Sequence, residues 1–165
     1  MEIERKYLIK NMPPNLGSAR KLEIEQGYLC TKPTVRIRKC NDDYILTYKR
    51  KQKGSNINGN PLMNEEIEVP LDKISYEHLK EKIDNYPIEK TRYVLPLDNN
   101  LHAELDVFHG RLEGLKFVEV EFPDKEASQT FVPPEWFGED VSADPSYRNS
   151  YLSTLETAEE FMKKE

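Results

Sequence analysis

Apolar and charged residues alternate in short blocks along most of this chain. In the first block Glu2, Glu4 and Lys6 stand on one parity and Ile3, Tyr7 and Ile9 on the other. A period of two belongs to a β-strand, where successive side chains point to opposite faces. The pattern predicts strands near 2–9, 22–30, 34–40, 43–49, 62–69, 87–95, 101–108 and 115–122. Eight strands are enough to close a barrel. Asn41-Asp42 predicts a tight hairpin, and the polar, glycine-containing stretch from Lys51 to Asn60 predicts a mobile loop. Helical spacing is rarer. Leu71 to Asn85 predicts an amphipathic helix with Ile74, Leu79 and Ile83 near one face, and a short helix is expected from Asp124 to Phe131, stopped by Pro133-Pro134. Asp144-Pro145 predicts the start of a last helix, with Asp as N-cap and Pro in the first turn. Its Tyr147, Tyr151, Leu152 and Leu155 share a face that would cap an open barrel end. No repeat, low-complexity tract or linker divides the chain, so 1–165 reads as a single domain.

The polar parity is the informative one. It groups Arg36 with Arg38, Thr47 with Lys49, Glu66 with Glu68, Lys90 with Arg92, Glu104 with Asp106, and Glu119 with Glu121. One wet face of an ordinary antiparallel sheet would also alternate. Such a face usually mixes in Ser, Thr and Gln, whereas here whole strands carry one sign of charge. Like charges side by side are destabilising unless they share a counter-ion. A closed barrel with this lining would be a polar tunnel whose apolar outer face packs on helices. An elongated polyanion with metal ions suits such a tunnel. Arg and Lys neutralise phosphate oxygens, and hard carboxylate ligands suit Mg²⁺ or Mn²⁺.

Composition narrows the setting. The net charge of −6 argues against a general nucleic-acid binder but not against a local basic pocket. No apolar run approaches a membrane span, and no signal peptide precedes Met1-Glu2-Ile3-Glu4, so a cytoplasmic location is expected. Cys30 and Cys40 fall in separate strands without zinc spacing and read as free thiols. His78 reads as a surface residue, while His102 and His109 flank the seventh strand without a partner pattern. Trp136 and Phe137 read as anchors of a turn. Tyr28 shares parity with Gln26 and would face the tunnel.

These residues resemble the CYTH superfamily, the triphosphate tunnel metalloenzymes. The hallmark Glu-x-Glu-x-Lys strand is Glu2-Ile3-Glu4-Arg5-Lys6. The likeness continues through Thr34-Val-Arg-Ile-Arg38, Leu46-Thr-Tyr-Lys49, Glu66-Ile-Glu68, Glu89-Lys-Thr-Arg-Tyr93, Glu104-Leu-Asp-Val-Phe108, Val118-Glu-Val-Glu-Phe122 and Tyr147-Arg-Asn149. Pro133-Pro-Glu-Trp-Phe-Gly138 is similar to the small bacterial tripolyphosphatase branch.

The resemblance implies a mainly β (α+β) fold, an eight-stranded antiparallel β-barrel with helices packed outside and a C-terminal helix near one tunnel end. It implies metal ligands at Glu2, Glu4, Glu119 and Glu121, supported by Glu104 and Asp106, with Mg²⁺ or Mn²⁺ in a two-metal site. It implies phosphate-binding cations at Lys6, Arg36, Arg38, Lys49, Lys90, Arg92 and Arg148. The catalytic set is Glu2, Glu4, Lys6, Lys90, Glu119 and Glu121. One departure is Asn64, where relatives often carry Arg; Lys51 or Lys53 could supply the missing contact. The implied activity is hydrolysis of inorganic tripolyphosphate or a nucleoside triphosphate. The alternatives are a CYTH-type (class IV) adenylyl cyclase and a non-catalytic polyphosphate- or nucleotide-binding module. The expected partner is a small triphosphate-containing molecule, not nucleic acid or a membrane.

Overall fold

The computed structural model describes residues 1–51 and 62–162. Eight antiparallel strands close into a barrel: β1 (Glu2–Ile9), β2 (Arg20–Thr31), β3 (Thr34–Cys40), β4 (Asp43–Lys51), β5 (Leu62–Leu71), β6 (Asp84–Pro96), β7 (His102–Phe108) and β8 (Lys116–Phe122). Their order is β5-β4-β3-β2-β6-β7-β8-β1, and β1 returns to β5 through Glu2↔Asn64, Ile3↔Met63 and Glu4↔Leu62. A further strand, β9 (Phe137–Asp140), pairs with the far end of β1 at Tyr7 and Ile9. One edge of β1 therefore serves β5 near its start and β9 near its end. The turn at Asn41-Asp42 joins β3 to β4, with Asn41 at φ 54° and its Oδ1 accepting from Glu23 N at 3.0 Å. Apart from Lys51, which ends β4, the predicted loop from Lys51 to Asn60 lies outside the described residues.

Apolar side chains go outward, as the alternation predicts, but the cover is uneven. Ile3, Tyr7, Leu95, Ala103, Val118, Val120 and Phe122 form a core outside the barrel wall, packed with Ala127, Phe131, Trp136 and Phe137. Helix α2 (Lys125–Thr130), capped by Asp124 accepting from Ala127 N at 2.7 Å, contributes to that cover. On the far side Ile67 and Val69 of β5 remain 61% and 47% exposed, so helices do not cover the whole outer face.

Two predicted helices are shorter than their apolar spacing suggests. The segment 71–85 holds only α1 (Lys73–Lys80). Leu71 stays in β5, paired with Tyr44, and Asp84 already belongs to β6. Asp72 caps the helix by accepting from Ser75 N at 2.7 Å. Ile74 points to solvent; Tyr76 is the buried anchor, its ring 5.0 Å from Tyr44 and its hydroxyl donating to Glu25 Oε1 at 2.9 Å. Beyond the helix, Ile83 presses on Gly27, where a Cβ would lie 2.8 Å from its side chain. Only glycine admits that approach without a shift.

The C-terminal region is not one helix. Asp144 caps a single 3₁₀ turn (Pro145–Tyr147), Arg148 is extended, and two short helices follow, α3 (Asn149–Leu152) and α4 (Ala158–Met162). The extended backbone at Arg148 (ψ 144°) breaks the helical run. Leu152, Leu155, Ala158 and Phe161 still bury together against Phe108, Leu112, Leu115 and Phe117. This packing holds α3 across one end of the barrel. Among the described residues, no helix is long and apolar enough to cross a membrane.

Candidate functional site

The barrel encloses a cavity of about 870 Å³. Cross-strand partners project to the same face, so the register carries one parity around the wall. Glu4 lies opposite Glu121 and Lys6 opposite Glu119. Glu104 lies opposite Glu119, Arg92 opposite Asp106, Arg36 opposite Thr47, and Lys49 opposite Glu66. Glu2, Glu4, Lys6, Arg36, Arg38, Lys49, Lys90, Arg92, Glu104, Glu119, Glu121 and Arg148 all line the cavity. Asp106 shares their inward parity, opposite Arg92, but at 2% exposure it is covered by Lys90 and Arg92.

The acids on this wall come in pairs. Glu4 and Glu119 share a hydrogen bond. Burial, then the charges of Glu119 and Glu2, push Glu4 well above the usual carboxylate range. Burial would push Glu119 up too, but Lys6, Arg92 and Lys90 outweigh it and hold Glu119 well below that range. The two carboxyls of this pair are thus pushed in opposite directions. Glu2 and Glu66 repeat the device. Burial and the hydrogen bond to Glu2 lift Glu66 to about 7. At Glu2 burial is overcome by Lys49, whose Nζ lies 2.8 Å from Oε1. Burial, followed by Glu2 and Glu104, also raises Glu121.

The cations are held differently. Both oxygens of Asp106 are engaged: Oδ2 accepts from Lys90 Nζ at 2.8 Å and Arg92 Nη2 at 3.0 Å, and Oδ1 from Arg92 Nε at 2.8 Å. Burial opposes the charge of Asp106, yet Arg92 and Lys90 bring it down to about 2. Asp106 thus holds two cations in place. Arg92 Nη1 also donates to Glu104 Oε2 at 3.3 Å. Burial lowers Lys90 to about 7 despite Asp106, with Arg92 and Arg38 adding to the effect.

Arg36 donates to Thr47 Oγ1 at 3.1 Å and Arg38 to Gln26 Oε1 at 2.8 Å. Among the described residues neither has a carboxylate partner, and Arg36 Nε is buried without an acceptor. Burial, with Arg36 and Arg92 close by, lowers Arg38 to about 9. An anion in the cavity would relieve all three effects.

Some wall residues were assigned no site role by sequence reading. Glu66 follows the same alternation as the chosen acids, so its signal was available. Asn64 is buried and lines the cavity opposite Glu2. Asn149 and Ser150 reach the lining from α3, which strand parity could not reveal. His109 does find a partner, on the outside of the barrel: Nε2 lies 2.6 Å from Thr91 Oγ1, which also contacts Glu23. Cys30 and Cys40 are free thiols.

This layout has counterparts. The CYTH domain matches residues 1–143. The chain belongs to the CYTH family. It is 38% identical over 156 residues to an inorganic triphosphatase of Nitrosomonas europaea, covering 92% of this chain and 96% of that one. An inorganic triphosphatase of Acetivibrio thermocellus is 33% identical over 153 residues, covering 92% of both chains. A crystal structure of an inorganic triphosphatase superposes with a TM-score of 0.68 at 35% identity, covering 95% of this CYTH chain and 97% of the other. CYTH membership implies divalent-metal dependence in general. The acid pairs fit that requirement, because crowded carboxyls whose pKa values are raised by burial and by one another would be relieved by a cation. Among the described residues no three acidic, histidine or cysteine side chains gather into a cage. Mg²⁺ commonly uses one or two carboxylates, completing its shell with water and substrate phosphates.

Proposed function

We propose that this CYTH protein is a metal-dependent hydrolase of inorganic triphosphate. The observation that carries the reading is the division of charge inside one cavity. Arg36 and Arg38 face it without a carboxylate partner among the described residues, and Glu2, Glu4, Glu66, Glu119 and Glu121 crowd the opposing wall. Arg36, Arg38, Lys49, Lys90, Arg92 and Arg148 are the proposed phosphate ligands, and Lys6 steadies Glu119 at 3.4 Å. Glu2, Glu4, Glu119 and Glu121 are the proposed ligands for Mg²⁺ or Mn²⁺, with Glu104 in support and two ions in the full site. A divalent ion held there would supply charge to neutralise the phosphates and would make water a better nucleophile.

The chain's own groups do the rest. The arginines and lysines hold the phosphates in line and compensate charge that grows on the leaving pyrophosphate. Water adds to the terminal phosphorus, the bond to the bridging oxygen breaks, and orthophosphate and pyrophosphate result. No enzyme nucleophile is required. The chain works as one domain, since Arg148 and Asn149 reach the cavity from beyond the matched region. Its free thiols suit a reducing compartment, the cytoplasm, and its partner is a small triphosphate rather than nucleic acid or a membrane.

The test is a product assay across tripolyphosphate, ATP, thiamine triphosphate and longer polyphosphate, with Mg²⁺, Mn²⁺ or chelator. Phosphate release strongest from tripolyphosphate and abolished by chelator is the expected result. Cyclic AMP as the main product from ATP would replace the hydrolase with a cyclase. Binding without turnover of any substrate would leave a binding module.

A further inference from the structure

Gln26 and Asn149 have no place in the chemistry above, yet both hold fixed polar positions beside it. Gln26 is 1% exposed on β2. Its Oε1 accepts from Arg38 Nε at 2.8 Å, and its Nε2 donates to Asn149 Oδ1 at 3.2 Å. The same Asn149 oxygen accepts from Lys90 Nζ at 3.0 Å. An amide has one accepting and one donating end. Arg38 therefore orients Gln26, and Gln26 with Lys90 orients Asn149. Three hydrogen bonds join the two cations without a carboxylate among them. Lys90 Nζ carries three donors; Asp106 takes one at 2.8 Å, Asn149 takes another, and one remains for the cavity that Lys90 lines.

The choice of amides has a consequence. A carboxylate at either position could accept the bonds the amide accepts, though at position 26 it would lose the donation to Asn149, and it would cancel charge that an anion needs. An amide satisfies the donor and leaves the charge in place. We infer that Gln26 and Asn149 are positioning residues that aim Arg38 and Lys90 at triphosphate while preserving their charge. The short helix across the tunnel end is then part of the anion site, not only its plug. The inference rests on the tunnel being a triphosphate site.

Asn149→Asp and Gln26→Glu are nearly isosteric, keep an acceptor oxygen and add a negative charge. Tripolyphosphate binding would be measured by calorimetry in chelator, where no turnover occurs, with Tm recorded alongside. Then kcat and KM would be measured with metal. Each variant should weaken binding about tenfold or more, the scale of a charge-assisted contact, and raise KM with Tm unchanged or higher. Asn149→Ala adds no charge and removes the aim, so kcat should fall about tenfold while KM changes less. Binding and kcat/KM within about twofold of wild type in the folded variants would overturn the inference and leave the amides as filling. If one isosteric variant does not fold, the other and Asn149→Ala decide by the same criteria. Wild type that binds tripolyphosphate without hydrolysing it would sink the hydrolase reading, and the binding arm would still judge the amides. Wild type that fails to bind in chelator but turns over tripolyphosphate with metal would leave the amides to be judged by kcat and KM alone, and wild type that does neither would overturn both.

Discussion

The acidic and basic parts of the tunnel wall solve the same problem in opposite ways. Both crowd like charges into a buried space. Crowding and burial push one member of each acid pair upward, Glu4 beside Glu119 and Glu66 beside Glu2. A carboxyl can take up a proton to relieve such crowding. Arginine cannot shed charge so easily. Lys90 and Arg92 lean on buried Asp106, and Arg36 and Arg38 lean on the neutral groups of Thr47 and Gln26. The arginines keep the basic part charged, and Lys90, drawn down to about 7 by burial, is its adjustable member. Such a division suits a site that takes up cation and anion together.

The largest break should come from the basic part. Asp106→Ala leaves two buried cations without their shared counter-ion, a change that costs about 3–5 kcal/mol. Chemical denaturation should show a loss of that order, and an unchanged midpoint would deny Asp106 its supporting role. Glu4→Gln should do the opposite. Glu4 already favours its neutral form, so stability should hold while metal-dependent turnover falls by on the order of a hundredfold. Normal turnover in this variant, measured over a metal titration, would remove Glu4 from the ligand set. Arg38→Ala should lower kcat/KM for tripolyphosphate by roughly ten- to a hundredfold. Normal kinetics there would make Arg38 a wall charge with no ligand.

The smallest effect is a slope with pH. Glu66 has a folded pKa of about 7 against an ordinary value of 4.5. Between those values the folded protein holds a proton that the unfolded chain has lost, so stability in chelator should fall as pH rises through this window. Below it the contribution is constant. Glu66→Gln should flatten the slope, which thermal melts across the window can follow. A wild-type slope of opposite sign would contradict the raised pKa of Glu66.

Much of this was legible before any coordinates. Period-two alternation gave the strands, and one parity collected most of the charged wall, because a closed antiparallel barrel keeps cross-strand neighbours on one face. The missing parts depend on contacts between segments far apart in the chain. Ile74 has the right spacing for a buried helix face, yet the helix sits on the barrel through Tyr76. The apolar run after Asp144 suggested one helix, and extended Arg148 splits it. Asp106 carries the parity of a wall residue, but its two cationic neighbours cover it and close it off from the cavity. Asn149 lies on no strand, so alternation could not place it beside Lys90.

Single-turnover hydrolysis of tripolyphosphate in ¹⁸O-labelled water, with divalent metal and an acid quench, tests the central claim most directly. Attack by water on the terminal phosphorus predicts one solvent oxygen in orthophosphate, none in pyrophosphate, and no phosphate left on the protein. A trapped phosphoenzyme, label in pyrophosphate, or no turnover with either Mg²⁺ or Mn²⁺ would contradict the account.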